Sequence, residues 1–164
     1  MYTPSSFKEE NPDILFSLIE EFNFGILFSQ HFDKPEATHL PFLVDRNRGE
    51  HGVLIAHFAK ANNHWERIND TKDVLAVFQG PHSYISPSWY VNRAEVPTWN
   101  YATVHVHGKP TIIQGLEALK AMVTRLTHYH ENEIDSNWSL DEVSKKDFTK
   151  DLKAIVGIEI EITH

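Results

Sequence analysis

The segment that most constrains this chain is its last, Ile155 to Thr163, written IVGIEIEIT. There Ile158, Ile160 and Ile162 alternate with Glu159 and Glu161, so one face is apolar and the other is charged. Period-two alternation predicts a half-buried strand, and half-burial is the habit of antiparallel sheets rather than of helix-covered parallel ones. Further strand-like runs precede it: Phe24 to Gln30, Ala37 to Asp45, Val53 to Ala59, Val74 to Gly80, Ser83 to Tyr90 and Trp99 to Ile113. The turn formers of HFDKPE between the first two predict a hairpin, and Thr38, Leu40, Phe42 and Val44 share one face of the second. VLAVFQG is nearly all apolar, which predicts a strand covered on both faces. Helices are fewer. Asn11 caps a helix from Pro12 to about Phe22 with Ile14, Leu15, Leu18, Ile19 and Phe22 as its stripe, and Gly115 to Tyr129 carries Leu116, Leu119, Val123 and Leu126 at helical spacing. KANNHWERI reads as a short helix or turn, and Ser144 to Lys153 as a short helical segment. About six or seven strands with helices that do not alternate with them predict an α+β fold built around an antiparallel barrel.

The 164 residues fit one domain spanning 1–164, with no internal repeat or linker. Cysteine is absent, which excludes a disulfide framework, a thiolate metal site and a cysteine nucleophile. Fifteen Lys and Arg face 23 Asp and Glu, for a net charge of −8. Both halves are acidic: residues 1–100 hold 8 basic and 13 acidic side chains, and 101–164 hold 7 and 10. Such a field opposes a phosphate backbone. The 11 histidines would turn −8 into +3 if all were protonated. No basic start is followed by an apolar stretch, and no apolar run approaches about 18 residues, so a soluble cytoplasmic protein without a membrane partner is the expectation.

GxGxxG, GxxxxGK[ST], HExxH and GxSxG are all missing, which removes support for Rossmann, P-loop, zincin and serine-hydrolase chemistry. His105 and His107 share one strand face with Tyr101 and Thr103, a pair that suits a metal or a flat cofactor but more often faces solvent or an interface. His128 and His130 diverge on a helix. Two segments are richer in chemistry. AHFAKANNHW ends a strand in His57, Lys60 and Asn62, a point charge with amide donors that suits a phosphate, unless Lys60 is simply solvated. FQGPHSYISPSWY followed by VPTWNYATVHVHGK interleaves aromatics, hydroxyls and amides, which can wall a pocket for a flat ring or simply fill a core.

With ATHLPFLVD, HFAKAN-x-x-W, FQGPHSYISPSWY, VPTWNY and the closing IVGIEIEI in place, the sequence resembles the PaiB-like family of negative transcriptional regulators, in the FMN-binding split-barrel superfamily. The resemblance implies a six-stranded antiparallel split barrel with flanking helices, a homodimer, and FMN sites formed between subunits. Family members commonly continue past the last strand into a polar segment, whereas this sequence ends at His164. Lys60 and Asn62 are the phosphate candidates by charge and donor type. Thr38, His39, His57, Gln79, Trp99 and Asn100 join the cofactor-binding set by carry-over from the matching segments. Haem is the alternative cofactor, since split-barrel relatives include oxidases, reductases and haem-degrading proteins. That leaves three functions: a flavin-binding regulator, a flavin-dependent oxidoreductase or haem enzyme, and a dimeric interaction module. The homodimer interface is expected at Tyr101, Thr103, His105 and His107. Regulation is expected through a regulatory protein or ligand rather than through tight autonomous DNA binding, for which only a strip of Arg46, Arg48, Lys145, Lys146, Lys150 and Lys153 is available.

Overall fold

A computed structural model describes residues 2–68 and 71–164. Along it run α1 (Pro12–Glu21), β1 (Phe24–His31), β2 (Lys34–Pro41), β3 (Leu43–Asp45), β4 (Val53–Ala59), α2 (His64–Ile68), β5 (Val74–Ile85), β6 (Thr98–Ile113), α3 (Leu116–Glu133), α4 (Lys145–Leu152) and β7 (Ile155–Ile162). The Asn11 side chain accepts the Asp13 N–H at 3.0 Å, and Pro12 follows where a missing N–H costs nothing, so α1 starts where its cap predicts. Every strand pairing is antiparallel, in the order β2-β1-β5-β6-β7-β4-β3.

Among the described residues the sheet therefore has seven strands, not the six the resemblance implied, and its ladder is not closed. Phe42 is the reason. The run expected as one strand, Ala37 to Asp45, pairs with β1 as far as Pro41 and with β4 from Leu43 onward. Between them the Phe42 N–H donates to the Asn23 carbonyl at 2.9 Å, and the Phe42 ring turns inward, edge-on to Phe78 at 5.3 Å. The chain thus crosses from one edge of the sheet to the other at a single residue. Pro35 and Pro41 lie on β2, an edge strand, where the donors they lack cost no ladder bond on the open side.

The sheet wraps a core in which Leu27, Phe42, Leu54, Phe58, Phe78, Ile158 and Ile160 are buried, with Ile19 of α1 and Ile68 of α2 inserted among them. The alternation of β7 holds as expected. A second apolar cluster lies outside the sheet, where Leu43, Val53 and Ile55 meet Met122 and Leu126 of α3. A Cβ at Gly157 would stand 2.8 Å from Met122, so the bare backbone there lets α3 lie close on β7. Of the expected α3 stripe, Leu119 and Leu126 are buried and Val123 is half-buried, while Leu116 is exposed and Met122 joins the buried face.

VLAVFQG departs from expectation too. Val74, Ala76 and Phe78 face the core, but Leu75 and Val77 are only half-buried and Gln79 is exposed. The expected strand Ser83 to Tyr90 is instead the end of β5, followed by a 3-10 turn at Pro87–Trp89. Among the described residues no helix is long and apolar enough to cross a membrane.

Candidate functional site

The turn between β4 and α2 collects three of the residues the sequence nominates. Its backbone is pinned by the Lys60 N–H on the Ala154 carbonyl at 2.7 Å and by the Asn62 N–H on the Ala59 carbonyl at 2.9 Å. Trp65 Nε1 donates to the Lys60 carbonyl at 3.0 Å. The Asn62 side chain works in two directions: Oδ1 accepts the His64 N–H at 3.1 Å and Nδ2 donates to Thr38 Oγ1 at 3.2 Å. His64, which the sequence did not single out, is 0% exposed. Its Nδ1 lies 2.8 Å from Thr38 Oγ1 and its Nε2 lies 2.8 Å from Ser29 Oγ. Its ring also meets Phe58 edge-on at 5.8 Å. Burial holds this imidazole below the usual histidine range, with Glu36 pulling the other way.

Thr38 and Asn62 thus spend their polar groups on each other and on His64, while Lys60 stays exposed. Among the described residues no carboxylate lies within ion-pair distance of the Lys60 ammonium. Arg46, Arg48, Arg67 and Arg125, in contrast, are engaged by Glu20, Glu159, Glu36 and Asp45. A free ammonium on a fixed turn is the donor set an anionic phosphate requires.

The other candidates divide. His39 lies on the face of β2 opposite Thr38 and stacks against Phe24 at 6.1 Å. Gln79 faces Thr103 at the end of the regular ladder, and a bulge separates it from His82. Beyond the bulge the β5–β6 hairpin is almost entirely exposed. Trp99, 56% exposed, lies opposite Tyr84 and stacks on His82 at 6.0 Å, and Tyr101, 62% exposed, continues the row. Asn100, opposite Ser83, takes the reverse face by alternation. His57 stands beside Ile55 on the α3 side of β4, opposite Gly157; its Nδ1 is buried without a partner, and burial lowers its pKa. His39, Gln79 and Trp99 therefore share an outward face with Thr103, His105 and His107, while Thr38, Lys60 and Asn62 gather at the turn. A small cleft of about 80 Å³ lined by Glu20, Phe42, Leu43, Val44, Arg125 and Tyr129 touches none of them.

Over residues 1–164 the sequence matches the family described as "Putative FMN-binding domain". The chain belongs to that family. It is 37% identical over 162 residues to the protease synthase and sporulation protein PAI 2, the PaiB protein of Bacillus subtilis strain 168, covering 99% of this chain and 77% of the relative. Among solved structures the fold is similar to that of the flavocytochrome Anf3 from Azotobacter vinelandii, with a TM-score of 0.65 at 13% identity, covering 94% of this chain and 64% of that one. It is also similar to HutZ, the haem storage protein from Vibrio cholerae, with a TM-score of 0.57 at 9% identity, covering 96% and 92%. At such identities the two structures establish the fold alone. For the FMN-binding family the free Lys60 ammonium fits a phosphate, and the exposed aromatic row of His82, Tyr84, Trp99 and Tyr101 fits a flat ring.

Proposed function

We propose that the protein binds FMN as a homodimer and acts as a PaiB-like negative transcriptional regulator through a partner rather than by gripping DNA alone. The observation that carries the reading is the exposed Lys60 ammonium, without a carboxylate partner among the described residues, on a turn held by backbone hydrogen bonds, in a chain that matches an FMN-binding family over its whole length. In this reading Lys60 meets the phosphate and Asn62 shapes the turn, while Thr38 supports them from β2. Bound flavin would supply the redox chemistry, and the protein residues bind and orient it.

The dimer reading rests on the outward face of β1, β5 and β6. Ile26, Phe28, Leu75 and Val77 lie there half-buried beside Thr103 and His105, with Tyr101 and His107 more exposed. A second copy laid on that face covers the apolar rows and supplies a wall that one protomer lacks for the aromatic hairpin. The regulatory reading without autonomous DNA binding is supported by the charge of −8 and by the engagement of Arg46 and Arg48 with Glu20 and Glu159.

A flavin or haem enzyme is the second reading, favoured by His39, His82, His105 and His107 on the aromatic-rich face, since imidazoles ligate haem iron. The visible absorption spectrum of freshly purified protein, before and after incubation with FMN or haemin, tests the cofactor: it separates the flavin readings from the haem one. A flavin spectrum with no Soret band supports the proposal. A Soret band, or a protein that takes up neither ligand, contradicts it.

A further inference from the structure

The hydrogen-bonded sheet is open between β2, one edge, and β4, the strand next to the other edge. Among the described residues no ladder joins β4 to β1 or β2. Four side chains bridge that gap: Asn62 and His64, which follow β4, reach Thr38 on β2 and Ser29 on β1. His64 is the centre of the bridge, because each ring nitrogen is satisfied by a hydroxyl from a different strand. A neutral imidazole donates through one nitrogen and accepts through the other, so the two hydroxyls complete it in either tautomer. Lys60 sits four residues before His64, on the segment this bridge holds down.

We propose that His64 is a positioning residue: it latches the β4–α2 turn to β1 and β2 across the open seam and so fixes where the Lys60 ammonium meets the phosphate of the ligand. The inference rests on the FMN reading above and extends it from the contact residue to the group that places that residue. The imidazole is completely buried, so it acts on a ligand only through its neighbours. Its effect passes through Asn62 and Thr38 to the turn, so its loss is felt only by a ligand that uses the turn.

The test is equilibrium titration with FMN and with riboflavin, which lacks the phosphate, on wild-type protein, His64→Phe, Lys60→Ala and the double variant. Thermal unfolding of each reports that it is folded. Phenylalanine keeps an aromatic ring, somewhat larger, at this site but removes the hydrogen bonds to the Ser29 and Thr38 hydroxyls, leaving Thr38 only its bond from Asn62. The expected result is a roughly tenfold loss of FMN affinity in His64→Phe, the effect of one lost buried hydrogen-bond partner. Riboflavin affinity changes by less than about twofold, and His64→Phe adds nothing once Lys60 is alanine. Should His64→Phe fail to fold, Ser29→Ala removes one side of the latch and is expected to show the same bias against FMN at smaller size. Equal losses for both ligands, or fully additive losses in the double variant, overturn the positioning role. Wild-type protein that binds no FMN overturns the parent reading and this proposal with it, an outcome distinct from the other two.

Discussion

Phe32 stands in the two-residue turn between β1 and β2 at φ 51°, a backbone region where a side chain costs energy and glycine does not. Its ring is 85% exposed, so little packing is lost with it. Phe32→Gly is expected to raise stability by about 1 kcal/mol in urea unfolding, the strain removed outweighing the entropy returned to the unfolded chain. His64 and His57 give a second prediction. Burial lowers the pKa of both, so the unfolded chain binds protons that the folded one refuses. Their contribution to stability is complete above pH of about 6.5 and is lost as the pH falls from there toward their folded values. The urea midpoint should drop between pH 8 and pH 5.5, and the drop should shrink in His64→Phe; an unchanged midpoint contradicts it. At this scale Lys60 and Asn62 were nominated from the sequence because a cation and an amide after a strand announce their chemistry by type, and the structure places both on the β4–α2 turn. His64 was not, because its meaning lies in Ser29 and Thr38, which stand 35 and 26 residues away and meet it only after folding.

At the scale of elements, β7 behaves as its alternation dictates. Ile160 is 0% exposed, and Ile160→Ala is expected to cost about 2–5 kcal/mol in chemical denaturation, whereas Glu161→Ala, on the solvent side, should stay within about 0.5 kcal/mol. The same strand carries Glu159, held by Arg48 through two hydrogen bonds at 2.8 and 2.7 Å, and Arg125 holds Asp45 at 2.7 Å. These arginines, and Arg67 beside Glu36, keep three carboxylates below the usual range. Their stabilisation is present above pH of about 4 and disappears as the pH falls through their folded values, a step separate from the histidine one. Periodicity revealed which faces are apolar but not which strands pair. Leu40 and Phe42 are buried and Val44 half-buried, all in one unbroken alternation, yet pairing changes from β1 to β4 in the middle of it. Partner exchange leaves the side-chain period untouched, so the division of that run into β2 and β3 was invisible. The place of Met122 on the buried face of α3 was missed for a related reason: it packs where Gly157, on another element, has no side chain.

At the scale of the molecule, the predictions concern what the protein assembles with. Light scattering at micromolar concentration should give twice the mass of one chain, and a charged substitution at Val77, in the middle of the outward apolar rows, should shift it toward the monomer. At neutral pH and physiological salt, promoter fragments should show no submicromolar, sequence-selective binding, since two arginines of the available basic strip are already occupied by carboxylates. Family membership was legible because long motifs cover the chain from end to end. The split of the candidate residues between the turn and the outward face was not, since it depends on which way each strand residue points and on how β5 bulges after Gln79. The most direct test of the flavin account is the affinity of the wild-type protein and of Lys60→Ala for FMN and for riboflavin, measured side by side. The account predicts that the wild-type protein prefers FMN and that Lys60→Ala loses most of that preference while still binding riboflavin. Equal affinity of the wild-type protein for both ligands, or a Lys60→Ala variant that keeps its preference for FMN, would contradict it.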